Sequence, residues 1–110
     1  MLVSDQAVDD VIRNANWWSA NHSQDKALEW QIAIFEKIYA LDMMPESKPL
    51  AFENPGFSYE IREALFGLGS RPGYRILFTV VDDTVNVLTV KAAEEDWVTP
   101  DELPKSTKSP

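Results

Sequence analysis

The sequence predicts an α+β domain in which an N-terminal helical hairpin packs on a three- to four-stranded antiparallel sheet whose N-terminal strand is short or missing. Three observations predict it. Apolar residues recur at steps of three and four through the first part of the chain, a proline-punctuated segment follows at Pro45, Pro49 and Pro55, and three runs dense in aromatic and β-branched residues come after it. At 110 residues the chain has material for one hydrophobic core and not two, so residues 1–98 are read as one domain and 99–110 as a tail.

Ser4 and Asp5 can cap a helix from Asp5 to about Ser19, whose stripe comprises Val8, Val11, Ile12, Ala15 and Trp18. The polar turn Ala20-Asn21-His22-Ser23-Gln24 supplies a second cap in Ser23. From Gln24 the positions Ala27, Trp30, Ile34, Ile38 and Leu41 form a stripe, widened by Leu28 and Phe35, that should end near Asp42 or Met43 because Pro45 forbids continuation. So short a connection makes the helices antiparallel, with Trp17, Trp18 and Trp30 available for their seam. Residues 45–58 read as a loop long enough to be mobile. Strands are expected over Tyr59–Phe66, Tyr74–Val81 and Thr84–Lys91, the last two joined by a tight turn at Asp82-Asp83 that lacks the usual glycine. Dense apolar character on both faces makes Tyr74–Val81 a central strand. The tail, with Pro100, Pro104, Pro110, Lys105 and Lys108, has little to bury and reads as disordered after Leu103.

Eighteen acidic against ten basic residues give a net charge of −8, a field that repels nucleic acid and anionic lipid and disfavours direct nucleic-acid binding. With no cysteine there are no disulfides and no thiolate chemistry. The start Met1-Leu2-Val3-Ser4-Asp5-Gln6 has neither the basic segment nor the apolar run of a signal peptide, and no stretch reaches membrane-spanning length, so a cytoplasmic location is expected. His22 is the sole histidine and reads as an exposed turn residue, so no histidine-based triad or multi-histidine metal site can be assembled, and no cofactor is expected. The glycine-rich run Gly67 to Gly73 precedes a strand instead of a helix, which makes it a hairpin loop and not a phosphate cradle. Glu60 with Glu63, and Asp9 with Asp10, diverge and form no acid/base dyad.

What remains is cationic. Arg62, Arg71, Arg75 and Lys91 are the only cations between Pro49 and Pro104. Arg62, Arg75 and Lys91 fall on three successive strands, where antiparallel pairing can gather them into a patch that holds a phosphate or carboxylate. The plainer alternative pairs Arg62 and Arg75 with Glu60, Glu63 or the acids Glu94, Glu95 and Asp96 as intramolecular ion pairs.

Two helices are thus followed by Tyr59-Glu60-Ile61-Arg62-Glu63-Ala64-Leu65-Phe66-Gly67, Gly73-Tyr74-Arg75-Ile76-Leu77-Phe78 and Val85-Asn86-Val87-Leu88-Thr89-Val90-Lys91. This order, with Ala7 and Asp10 opening the first helix and Ala27 to Leu41 closed by Pro45, resembles the RelE/ParE toxin superfamily of type II toxin–antitoxin systems, also labelled plasmid stabilization proteins. The resemblance covers roughly residues 3–98. It implies a helical hairpin on a twisted sheet, usually preceded by a longer N-terminal strand than Met1-Leu2-Val3 provides; either that strand is stunted or the true start lies upstream. A stunted strand leaves a neighbouring edge open to pairing with another chain.

The superfamily divides into RelE-like members, which cut messenger RNA on the ribosome, and ParE-like members, which poison DNA gyrase. For a nuclease the resemblance implies Arg62, Arg75 and Lys91 as the catalytic, phosphate-holding set. The family's basic pair at the end of the last strand is here Lys91-Ala92, however, and no histidine or tyrosine follows it. That departure, with the acidic net charge, favours a ParE-like toxin that inhibits growth through a protein target, gyrase, and is neutralised by a cognate antitoxin. The alternatives are a RelE-like, ribosome-dependent endoribonuclease and an inactive homologue acting as a protein-binding module. A cognate antitoxin is the expected partner, with gyrase or the ribosome as target, no membrane, and a homodimer as the self-association to test. Trp97 reads as a core plug.

Overall fold

The computed structural model describes residues 1–68 and 73–92. The elements are β1 (Leu2–Val3), α1 (Asp5–Asn21), α2 (Gln24–Ala40), β2 (Arg62–Phe66), β3 (Tyr74–Val81) and β4 (Thr84–Ala92). They make one sheet in the order β1-β4-β3-β2 with the helical hairpin on one face. β2, β3 and β4 are antiparallel, as expected, and β1 adds a two-residue parallel pairing to β4 through Leu2 opposite Asn86 and Val3 opposite Val87. An N-terminal strand is therefore present, two residues long, and it makes the sheet mixed.

Both helices begin where their caps predict. The Ser4 and Ser23 hydroxyls accept from the backbone N–H groups of Ala7 and Lys26, each at 3.0 Å, satisfying one of the donors a helix start leaves open. α2 stops at Ala40, short of the expected end, and Met44 takes a left-handed φ of 55° immediately before Pro45. The turn between β3 and β4 places Asp82 and Asp83 at φ of 50° and 64°, the positive values a two-residue hairpin turn demands and aspartate tolerates.

The main core joins Ala7, Val11, Trp30, Ile34, Ile38 and Leu41 of the helical half to Ala64, Ile76, Phe78, Val85, Val87 and Val90 of the sheet. Three expectations for this seam are corrected. Val8 and Ile12 are 36% and 49% exposed, because α1 turns Ala7, Asp10 and Val11 inward instead, the small Ala7 fitting at full burial. Trp17 is half-exposed and contributes its ring edge to Trp18, with centroids 5.3 Å apart, so the seam holds Trp30 and part of Trp18 only. Leu28, taken to widen the core stripe of α2, lies outside it.

β3 lies between β4 and β2, the central position its two apolar faces predict. Its outward residue Leu77 joins Leu88, Ala51 and Ile61 in a second buried cluster, with Phe57 and Tyr59 packed against it. Residues 45–58, read as a loop, are packed on the sheet. They carry two short 3-10 turns, bury Ala51 and Glu53, and cover part of the sheet face opposite the helices. Tyr59, Glu60 and Ile61, expected to begin a strand, belong to this cover; Ala51 N–H donates to the Ile61 carbonyl at 2.8 Å and Glu63 N–H to that of Pro49 at 3.0 Å.

Candidate functional site

The covered face contains the densest charge cluster among the described residues. In the β2/β3/β4 register Leu65 lies opposite Arg75, and Arg75 opposite Lys91. Glu63, two residues before Leu65, shares that face by strand alternation. The fold thus brings Arg75, Lys91 and Glu63 together. The loop inserts a second acid, Glu53, which is completely buried.

Arg75 is itself only 2% exposed, and each of its three side-chain nitrogens donates to a carboxylate. Nη1 and Nη2 donate to the two oxygens of Glu53 at 2.9 and 2.5 Å, a bidentate fork, and Nε donates to Glu63 Oε1 at 2.5 Å. The Phe52 ring closes over the guanidinium with its centroid 4.4 Å from Cζ, a cation–π contact. Burial works against the charge on Arg75, but the hydrogen bonds and charges of Glu53 and Glu63 outweigh it and hold its pKa above the ordinary arginine value. With two carboxylates to one guanidinium the triad is net negative, and adding Lys91 brings it only to neutrality. An incoming phosphate would have to displace a buried carboxylate.

Arg62 is elsewhere. Alternation along β2 sets it on the side opposite Glu63, where Nη1 donates to the Lys48 carbonyl at 2.6 Å and Nη2 to Glu60 Oε1 at 3.3 Å. Arg62, Arg75 and Lys91 therefore do not converge as one three-cation patch. The plainer alternative fits better: the Glu60 and Glu63 pairings it anticipates are both present. Arg71, Glu94, Glu95, Asp96, Trp97 and the 99–110 tail lie outside the described residues.

Two buried acids were not anticipated as such, Glu53 and Asp10. Glu53 stands alone among loop residues with no periodicity to mark it as buried. Asp10 is 2% exposed on α1, and its Oδ2 accepts from Thr89 Oγ1 at 2.5 Å and from the Val90 N–H at 3.0 Å, while Oδ1 pairs with Arg13 at 3.1 Å. The signal for Asp10 was its place three residues after Ala7 and beside Val11, on the inward stripe. His22 caps the end of α1 and packs at a tilt against Trp18, with centroids 4.7 Å apart and ring planes at 32°. Among the described residues no group of three acidic or histidine side chains could hold a metal ion. No described helix is long and apolar enough to cross a membrane.

The sequence matches no family model and no curated protein. Its fold matches a solved structure described as the chromosomal ParDE TA system from P. aeruginosa, with a TM-score of 0.68 at 20% identity over 86% of this chain and 97% of that one. The architecture is therefore that of the RelE/ParE fold, two helices on a small sheet, and the order of elements inferred from the sequence is the order present.

Proposed function

We propose that this chain, which has the RelE/ParE fold, is the toxin component of a type II toxin–antitoxin system. It acts in the ParE manner, by binding a cellular protein target, DNA gyrase, and is neutralised by a cognate antitoxin. The observation that carries this reading is the state of Arg75. A ribonuclease of this fold would need that guanidinium to meet a scissile phosphate and stabilise its developing charge. Here the same group is buried, held by Glu53 and Glu63, and covered by Phe52. A net charge of −8 also opposes approach to the ribosome's polyanionic RNA. Binding a protein asks for no such group.

Induced expression should arrest growth and lower DNA supercoiling, and purified protein should inhibit gyrase while leaving messenger RNA intact. Co-expression of the antitoxin should restore growth. Transcript cleavage by purified protein on ribosomes would assign the nuclease instead, and normal growth with unaffected gyrase would mark an inactive homologue.

A further inference from the structure

Where the closing turns of α1 pass the end of β2, the start of β3 and the end of β4, the surface is hollowed into a cavity of about 430 Å³. Three aromatic side chains, Trp17, Trp18 and Tyr74, line it together with Leu68, Asn14 and Ala92. The two indoles stand at 90° with centroids 5.3 Å apart, as two walls meeting at a right angle. Both walls are braced. Trp18 Nε1 donates to the Tyr74 hydroxyl at 3.0 Å, and the Tyr74 ring packs against the fully buried Trp30 with centroids 5.1 Å apart. His22 packs against Trp17 and Trp18 at 5.5 and 4.7 Å. Trp17 is nonetheless half-exposed beside a cavity of small-molecule size, whereas a tryptophan that serves the core alone is buried as Trp30 is.

Electrostatics select the occupant. Among the described residues the lining carries no charged side chain, so attraction comes from the ring faces and the backbone. Aromatic faces carry the negative part of the ring quadrupole and attract cations, tryptophan most strongly. Trp17 and Trp18 lie in the closing turns of α1, where open carbonyls gather partial negative charge, and the last turn has no lysine or arginine to offset it. The one arginine of the helix, Arg13, is paired with Asp10 at 3.1 Å. The field of a chain at −8 adds to the preference. Asn14 Nδ2 already donates to the Asp10 carbonyl at 2.8 Å, and the remaining lining is mostly apolar, so it offers few acceptors to an ammonium that must be hydrogen-bonded. A quaternary ammonium asks for none, and its methyl groups suit the rings and Leu68.

We propose that this cavity binds a small-molecule trimethylammonium compound, with its cationic head in the corner between Trp17 and Trp18. The site is separate from the proposed toxin function, and its test uses no toxin readout.

The probe is choline, titrated into the full chain at constant ionic strength and followed through the indole N–H signals in two-dimensional NMR spectra. Its controls are the uncharged isostere with carbon in place of the quaternary nitrogen, and a peptide carrying trimethyllysine. Choline should move the Trp17 and Trp18 signals saturably and bind at least about fivefold more tightly than the isostere. Trp17→Leu, at a half-exposed position, keeps apolar bulk but removes one ring face. It should weaken choline about fivefold and leave the isostere unchanged, with Trp17→Phe between the two. Equal binding of choline and the isostere by the parent overturns the proposal, as does a Trp17→Leu protein that binds choline as the parent does. So does the absence of any saturable shift up to about 50 mM choline. A trimethyllysine peptide bound tenfold more tightly than choline overturns the small-molecule assignment and gives the site to a protein side chain.

Discussion

Arg75→Leu removes the single cation between two carboxylates. Glu53 is completely buried, so its charge is left without a partner where water cannot solvate it, whereas the Glu63 side chain retains 18% exposure and can be partly hydrated. Breaking a buried pair from one side costs about 3–5 kcal/mol, a large part of the roughly 5–15 kcal/mol that keeps a domain folded. With a urea slope of about 2 kcal/mol/M, the unfolding midpoint should fall by about 2 M. Glu53→Leu combined with Arg75→Leu removes both charges and fills the site with apolar volume, so the double variant should recover to within about 1–2 kcal/mol of the parent. The assay is urea unfolding of the parent, both single variants and the double variant, followed by circular dichroism, with the coupling taken from the cycle. A midpoint for Arg75→Leu within about 0.5 M of the parent, or strictly additive effects, would refute the clamp. The same double variant separates the functions: if Arg75 performs no chemistry, its folded form still arrests growth, and loss of arrest with intact folding would return Arg75 to a catalytic role.

Asp10→Ala leaves Thr89 and the Val90 N–H without their acceptor and should cost about 3 kcal/mol, while Asp10→Asn, which keeps an accepting oxygen, should cost about 1 kcal/mol; both are read by thermal or urea unfolding. Tyr59 Oη is buried with no hydrogen-bond partner among the described residues, so Tyr59→Phe should be neutral or stabilise by up to about 1 kcal/mol near pH 7. Burial raises the Tyr59 pKa above 10.0, so the folded state favours the neutral phenol. The stability this gives is fully present below pH 10 and is lost as pH rises through the raised folded value. The parent should therefore lose more stability than Tyr59→Phe above pH 10, and parallel midpoints for the two proteins across that range would count against it.

The elements readable from sequence were those fixed by local chemistry. Ser4 and Ser23 each offer a hydroxyl to an open helix donor, and β3 occupies Tyr74–Val81 as expected because a strand buried on both faces has no polar alternation to blur its ends. What failed depended on partners distant in sequence. The α1 stripe was read from its apolar members alone, which selected Val8 and Ile12, while the inward row contains Asp10, whose burial makes sense only once Val90 supplies a donor 80 residues away. Glu53 was likewise invisible, since its position is set by an arginine 22 residues later. The three cations were placed correctly on adjacent strands. Strand parity and the loop's acid then decided their fate, and neither is encoded near Arg62, Arg75 or Lys91.

β1 is two residues long, and its neighbourhood shows how distant partners complete a local element. Two residues cannot cover the length of β4, and the sequence suggested that the uncovered edge would await another chain. β4 also bulges there: Leu77 faces Thr89 and Phe78 faces Val87, so Leu88 is an additional residue in the ladder. The groups this frees are taken up by the start of α1. Ser4 N–H donates to the Val87 carbonyl at 3.0 Å, its hydroxyl donates to that of Leu88 at 2.8 Å, and Asp10 accepts the Val90 N–H. One serine thus caps a helix and, with an aspartate six residues on, bonds the edge of β4 next to β1. Ser4 and Asp10 occupy the Leu88 carbonyl and the Val90 N–H, two groups that an added strand would have to compete for.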